Sequence, residues 1–390
     1  MRTGDGPGRS LDAAVGGAHL RMHRLTGQIG EPPAGGFGTA VGGELERHGI
    51  ERCAQNRVHC GAGDSHDRQG SPPRQSRFAD NRSHRTMTWA DTGRHRPRED
   101  TRVRLLRRHA TPDAVRARPI TLAPLTVLEL GPPELVACAA EAGYDGVGLR
   151  LIRATEQEPV RPTLGQTPTI RETRRRLDAT GLFVLDVEVL RLRPDTRVRE
   201  EFGAVLETAA YLGAAQALVT GNDPDHSRLA DNLAELADFA AQFGVRANLE
   251  PMPWTDVRDL AEATSILRAC RADSVGVLVD ALHYDRSATT PDDLAALPAE
   301  WINYVQICDG LSPRPTSVDE LRFQGRNARL LPGEGCIDLV DMLQALPGVP
   351  VSIEAPVQWR APAGVRARAA LRAARRVVGR ADADRVALSA

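Results

Sequence analysis

Apolar and polar positions follow two alternating rhythms along residues 119–390. Short apolar runs are each followed by a segment with helical spacing. The strand candidates are 125–130 (LTVLEL), 146–152, 183–192, 215–221, 245–251, 275–281, 302–309 and 350–356. The helical segments between them are 133–143, 170–181, 198–213, 227–244, 256–270, 290–297, 338–346 and 364–379. Gly143, Gly181 and Gly244 stand at expected helix ends, and Thr290 followed by Pro291 forms an expected start. The stretch between 310 and 337 reads as one long loop. Strands alternating with helices imply parallel pairing through right-handed crossovers, and eight such units over about 260 residues imply a closed (β/α)8 TIM barrel. A doubly wound open sheet is the structural alternative. It would usually carry a glycine-rich phosphate turn after its first strand, and LELGPPE is not one.

Residues 1–118 have a different texture. They hold 17 of the 35 Gly and 8 of the 10 His, with few apolar clusters and no sustained periodicity. Such a segment buries too little apolar surface to offset chain entropy, so a disordered Arg/Gly/His-rich extension is expected. A start codon placed too far upstream would also account for it. His48, Cys53, His59, Cys60 and His66 cluster there, but their spacing fits no common zinc finger.

Composition removes several chemistries. The chain contains no lysine, so all 50 cations are Arg. A Schiff-base lysine, a lysine general base and a lysine-bearing phosphate loop are therefore excluded. The net charge of −1 names no polyanionic partner, and 4% aromatic content argues against a base-stacking nucleic-acid binder. None of the six Cys forms a CxxC pair, which suits reduced thiols in a cytoplasmic protein. No apolar run approaches the length of a membrane span.

In a TIM barrel the reacting groups sit at the C-terminal ends of the strands. The run Val275, Val277, Leu278, Val279 stops at Asp280, with His283 three residues on. The neighbouring strand candidates end in Glu250 (NLEP), Gln306 and Asp309 (YVQICD) and Glu354 (SIEAP), and the third carries Glu188. Carboxylates converging on one rim repel each other and are costly to bury without a counter-charge. A hard divalent cation held by Glu250, Asp280, Gln306 and Glu354 would resolve both problems. His283 is the candidate substrate or acid–base group. Glu188, Trp254, Arg329 and Asp309 are candidate substrate contacts, each with an equally good structural explanation: a salt bridge, an end cap, a solvated arginine and a loop anchor. His226 is explained by its place at a helix start.

The fragments NLEP, VLVDALH, YVQICDG, LPGEG and VSIEAP, in this order, resemble the xylose isomerase-like barrels known as sugar phosphate isomerases and epimerases. The resemblance spans about residues 120–380 and implies the same four metal ligands, with His283 against the substrate. Ketose epimerases of this type usually carry His where this chain has Gln306. Gln there resembles the 3-dehydroshikimate dehydratase branch, while the histidine-rich apurinic endonuclease branch does not fit a barrel holding only His226 and His283. The resemblance implies a divalent-metal-dependent isomerase or epimerase of a sugar, sugar phosphate or polyol ketone. It would work by proton abstraction next to a metal-bound carbonyl, through an enediolate, with Glu250 and Glu354 as proton carriers. A dehydratase-like lyase and a non-catalytic sugar- or metal-binding barrel are the alternatives. The expected cofactor is one divalent ion, Mn2+ or Mg2+ before Co2+ or Zn2+. The expected partner is a small carbohydrate or polyol ketone, with no membrane or nucleic acid involved; any self-association would be into a homodimer.

Overall fold

The computed structural model describes residues 117–389, with side chains through 383. The expectations for residues 1–116, including the His/Cys cluster, lie outside the described residues. Eight parallel strands close into a barrel in chain order. They are β1 (Ile120–Leu122), β2 (Gly146–Arg150), β3 (Phe183–Leu192), β4 (Gln216–Gly221), β5 (Arg246–Glu250), β6 (Val275–Asp280), β7 (Ile302–Ile307) and β8 (Val351–Ile353). The connecting helices are α1 (Pro132–Ala142), α2 (Pro168–Thr180), α3 (Val198–Leu212), α4 (His226–Ala241), α5 (Leu260–Cys270), α6 (Ala281–Arg286), α7 (Pro291–Ala295), α8 (Val318–Asn327), α9 (Leu339–Ala345) and α10 (Ala363–Ser389). No helix among the described residues is long and apolar enough to cross a membrane.

Each strand alternates between two surroundings. Outward residues such as Val187, Leu249, Val277, Val305 and Ile353 pack beneath the helices in the main core. Inward residues Leu185, Leu218, Leu278 and Tyr304 form a separate cluster inside the barrel. Burial on both faces explains why these strands read as nearly continuous apolar runs. The closing seam pairs β1 with β8, with Thr121 opposite Ser352. Arg118, just before β1, reinforces it: its guanidinium donates to the carbonyls of Leu346 (2.6 Å) and Leu343 (2.7 Å) and to Asp382 Oδ1 (2.9 Å).

Two local expectations are corrected. The first strand is not 125–130 but Ile120–Leu122, since residues Pro124–Val127 form a 3-10 turn. Pro124 has no N–H to give a sheet ladder and starts that turn readily. The stretch after β7 is not simply a loop, because it contains α8. Ser317 and Glu320 cap α8 reciprocally, Ser317 Oγ accepting from Glu320 N and the Glu320 carboxylate accepting from Ser317 N.

Gly276 shows how tightly the strands are set. A Cβ there would collide with the Trp301 carbonyl and the Asn303 amide, and would lie 2.8 Å from Asn248 Oδ1. The backbone on one side cannot yield cheaply. Gly276→Ala should therefore destabilise the chain by about 2–3 kcal/mol, measured by urea denaturation. An unchanged midpoint would refute this account of the β5–β6–β7 contact.

Candidate active site at the barrel mouth

Asp280 ends β6 because it starts α6. Its Oδ1 accepts from the backbone N–H of Leu282 (2.9 Å) and His283 (3.1 Å), an N-cap that turns the chain out of the sheet. The cap also fixes His283 on the first turn of α6, over the barrel mouth. The second Asp280 oxygen, Oδ2, accepts from Arg329 Nη1 at 2.5 Å. Thus each oxygen of this one buried carboxylate has its own task.

Arg329 is far from the solvated arginine its loop position suggested. It is 2% exposed. Its Nη2 lies 2.9 Å from Glu354 Oε2, and its Nε donates to the Gly325 carbonyl at 2.7 Å. Asp309 explains how it gets there. The Asp309 backbone forms an antiparallel bridge with Leu330, and its carboxylate accepts from the backbone N–H of Gly310, Gly333 and Ile337 at 2.8–3.0 Å. Asp309 is fully buried and acts as the anchor of this loop.

Glu250, at the end of β5, has no arginine paired with it among the described residues. His283 Nε2 is 3.7 Å from Glu250 Oε1 and 3.8 Å from Asp280 Oδ1. Trp254 meets the His283 ring edge-on, with centroids 4.7 Å apart and planes at 88°. Gly325 permits this, because any Cβ there would strike the Trp254 ring. Both polar atoms of the Gln306 side chain are buried without a partner among the described residues, as is His283 Nδ1. Glu188 faces Arg150, which lies 2.7 Å from its Oε1 and also reaches Glu158 at 2.8 Å. The other Glu188 oxygen has no hydrogen-bond partner among the described residues. His226 does not cap α4; Asp225 does, and His226 Nε2 lies 2.7 Å from the Asp256 carbonyl.

A cavity of about 730 Å3 opens over this floor, walled by Trp254, Met252, Leu128, His283, Glu250 and Glu354 among others. Of the residues expected at the site, Arg329 also lines it, while Glu188, Asp280, Gln306 and Asp309 do not reach its wall.

Burial governs the charges. It raises Glu250 well above the usual carboxylate range, and the neighbouring charges of Glu354 and Asp280 add to this. Glu354 is pushed up to about 7 by burial, with Arg329 opposing and Glu188 and Asp280 adding. Burial also resists ionisation of Asp280, but the Arg329 charge wins and holds it low. His283 is pushed down to about 4 by burial, against the pull of Asp280. The ring is therefore neutral at neutral pH. Deeper in the barrel, Tyr304 donates to Asp186 Oδ2 at 3.1 Å, and burial together with the Glu188 charge raises Asp186. This pair was not singled out from the sequence, since an Asp within FVLDVEVLRL carries no positional signal.

A divalent cation suits the residues present. Glu250, Asp280 and His283 each offer a ligand atom within 4.8 Å of the others. Gln306 adds an unpartnered amide oxygen, and the mutual repulsion of Glu250, Glu354 and Asp280 is what a cation relieves. Glu354 stands outside the close cluster, its carboxylate held by Arg329.

The family model for xylose isomerase-like TIM barrels matches residues 136–377. The chain belongs to that family. Among named xylose isomerase-like relatives, a 3-dehydroshikimate dehydratase of Pseudomonas aeruginosa is 29% identical over 224 residues, which is 54% of this chain and 33% of the relative. An inosose isomerase of Bacillus subtilis is 29% identical over 156 residues, 37% of this chain and 54% of the relative. This chain thus aligns with a third to about half of the length of these enzymes. Among solved xylose isomerase-like folds, the IOLI protein with its bound zinc atom superposes with a TM-score of 0.56 at 22% identity, covering 67% of this chain and 98% of that one. At that identity the likeness speaks for the fold.

The charge pattern fixes a pH dependence for the metal-free protein. A carboxyl held above its ordinary range keeps its proton when folded. Its contribution to stability is complete in acid and is lost as pH rises through the folded value, about 7 for Glu354. His283 works in the opposite sense between about 4 and its ordinary 6.5, where only the unfolded chain is protonated. Glu250, Glu354 and Asp186 together outweigh it. Metal-free protein should therefore melt at a lower Tm at pH 8 than at pH 5. Added Mn2+ should raise Tm more at pH 8 than at pH 5, because binding requires the deprotonated carboxylates. Thermal melts in EDTA and then in Mn2+ check both; a Tm that climbs from pH 5 to pH 8 in EDTA would contradict the assignment.

Proposed function

We propose that this barrel is a divalent-metal-dependent enzyme that removes a proton next to the ketone of a small hydroxylated substrate. The observation that carries this reading is the buried set of Glu250, Asp280, His283 and unpartnered Gln306 at the mouth of a xylose isomerase-like barrel. Glu250, Asp280, Gln306 and Glu354 would hold the ion, and His283 stands close enough to Glu250 and Asp280 to join or support them. When bound, a divalent cation supplies polarisation of a carbonyl and charge neutralisation at its oxygen.

The rest is done by the chain's own side chains. Glu250 is the base: its carboxylate lines the cavity and has no arginine partner among the described residues. It removes the proton from the carbon beside the ketone, and burial gives it the proton affinity that the task needs. Neutral His283 offers one ring N–H to a substrate hydroxyl while Trp254 fixes its plane. Arg329 holds Glu354 and Asp280 in place without entering the proton transfer. Trp254, Met252 and Leu128 exclude water from that side of the cavity.

Two outcomes can follow the first step. With a hydroxyl on the next carbon, Glu250 returns its proton to that hydroxyl. The carbon–oxygen bond breaks, a double bond forms, and water leaves. This dehydration needs one base, and the asymmetry between unpaired Glu250 and Arg329-bound Glu354 favours it. Gln306 and the relatives named 3-dehydroshikimate dehydratase point the same way. Isomerisation or epimerisation is the second reading. It is favoured by Glu354, a second carboxyl lining the same cavity, which would take up and return a proton from another direction. A non-catalytic barrel would bind the same ligands without turnover.

The test is turnover in D2O of 3-dehydroshikimate, inososes and ketoses by Mn2+-loaded protein, followed by NMR with metal content measured in parallel. Wild type should hold about one equivalent of metal and either exchange the proton beside the ketone or eliminate water. Glu250→Gln should lower kcat by roughly 10^3-fold. A Glu250→Gln, Asp280→Asn double variant should lose the metal. Full activity in Glu250→Gln would remove Glu250 as the base, and a wild type that takes up no metal would end the proposal.

A further inference from the structure

The cavity wall carries five arginines, Arg150, Arg161, Arg191, Arg326 and Arg329. Two of these are spoken for by carboxylates. Arg150 is held by Glu188 and Glu158, and Arg329 by Asp280 and Glu354. Arg161 donates to the Glu129 carbonyl at 2.9 Å. Arg191 and Arg326 are different. Arg191, at the C-terminal end of β3, donates to Asn222 Oδ1 (2.8 Å) and the Ala154 carbonyl (3.4 Å) and has no carboxylate partner among the described residues. Arg326, in the last turn of α8, has neither a hydrogen-bond acceptor nor an ion-pair partner for its side chain there.

Both guanidiniums are half-buried, so neither is simply dissolved in water. Their environment disfavours the charge they carry. Burial, followed by the positive charges of Arg193, Arg326 and Arg150, holds Arg191 below the usual arginine value. Burial, followed by Arg322, does the same for Arg326, opposed by the nearby Glu158 carboxylate, which is itself paired with Arg150. A partly desolvated cation with no counter-ion of its own is costly, and an incoming oxyanion removes that cost while gaining charge-assisted hydrogen bonds. The next residue back from Arg326 is Gly325, whose bare backbone packs against Trp254 and whose carbonyl receives Arg329. The segment that sets the catalytic floor therefore also sets Arg326.

We propose that Arg191 and Arg326 form an oxyanion subsite of this cavity, and that the substrate is a hydroxylated ketone bearing a carboxylate or a phosphate group. The proposal rests on the proton-abstraction reading for the ketone end, and it assigns the other end. Arg329, a candidate substrate contact from the sequence, has its donors committed to Gly325, Asp280 and Glu354 and is not the one that binds the anion.

Calorimetry on Mn2+-loaded full-length protein tests this without relying on turnover. Two matched pairs serve as probes: 3,4-dihydroxybenzoate against catechol, and D-xylulose 5-phosphate against D-xylulose. In at least one pair the charged member should bind at least about ten-fold tighter, and the pair that shows this identifies carboxylate or phosphate. Arg326→Gln and Arg191→Gln should each remove about ten-fold of that preference and leave the neutral member within about two-fold, while Arg326→Lys should keep part of it. Equal binding within both pairs, binding by no probe, or a loss shared by charged and neutral members would overturn the subsite. An oxyanion preference without proton exchange would sink the catalytic reading and leave the subsite standing. Turnover of neutral ketones, unaffected by either arginine variant, would do the reverse.

Discussion

Three carboxylates stand buried at the C-terminal ends of β5, β6 and β8, and the guanidinium of Arg329 lies between two of them. Everything else at the barrel mouth is arranged around that charge. Breaking a buried ion pair by removing one partner costs about 3–5 kcal/mol, because the remaining charge is left desolvated. Arg329 therefore sits in a place where it can scarcely be replaced, and the chain spends a whole loop on delivering it. Asp309 ties that loop down through three backbone N–H groups, which sets the position of Arg329 by main-chain bonds rather than by side-chain packing.

This arrangement divides the carboxylates by function. Asp280 is fixed in place: two backbone donors on one oxygen, Arg329 on the other. Glu354 shares Arg329 and remains partly acidic in character. Glu250 has no paired arginine among the described residues and stands 3.7 Å from the His283 imidazole. Three chemically similar residues thus acquire three different proton affinities from position alone, which is the usual way one site obtains both a proton acceptor and a fixed anion.

The rim positions of Glu250, Asp280 and Glu354 were legible in the sequence because a nearly continuous apolar strand that stops on a polar residue marks the barrel rim, while Gln306 stands one residue inside the end of β7. The helical stops at Gly143 and Gly181 were legible for an equally local reason, whereas α4 ends at Ala241 with Gln242 as its cap, ahead of the expected Gly244. β1 was not, because its three residues are shorter than any usable period and the more apolar LTVLEL beside it begins with a 3-10 turn. α8 left a readable capping signature in Ser317 and Glu320, but its glycine and many charges conceal the helical pattern. The tasks of Arg329, Arg191 and Arg326 were beyond sequence reasoning. In a chain whose every cation is arginine, nothing distinguishes a buried ion-pair partner from a solvated side chain until the acceptors around it are placed.

The antiparallel bridge between Asp309 and Leu330 has a consequence for how such a site can change. It pins both ends of a twenty-residue excursion to the same point on the barrel. What lies between, including α8 and Arg326, hangs from that clasp as a replaceable module. Apart from Gly325 and Arg329 at its far end, which hold the carboxylates below, its length and side chains can be exchanged without retuning them. The barrel can therefore keep one chemistry while the clasped segment is rewritten for different molecules, with specificity inherited separately from catalysis.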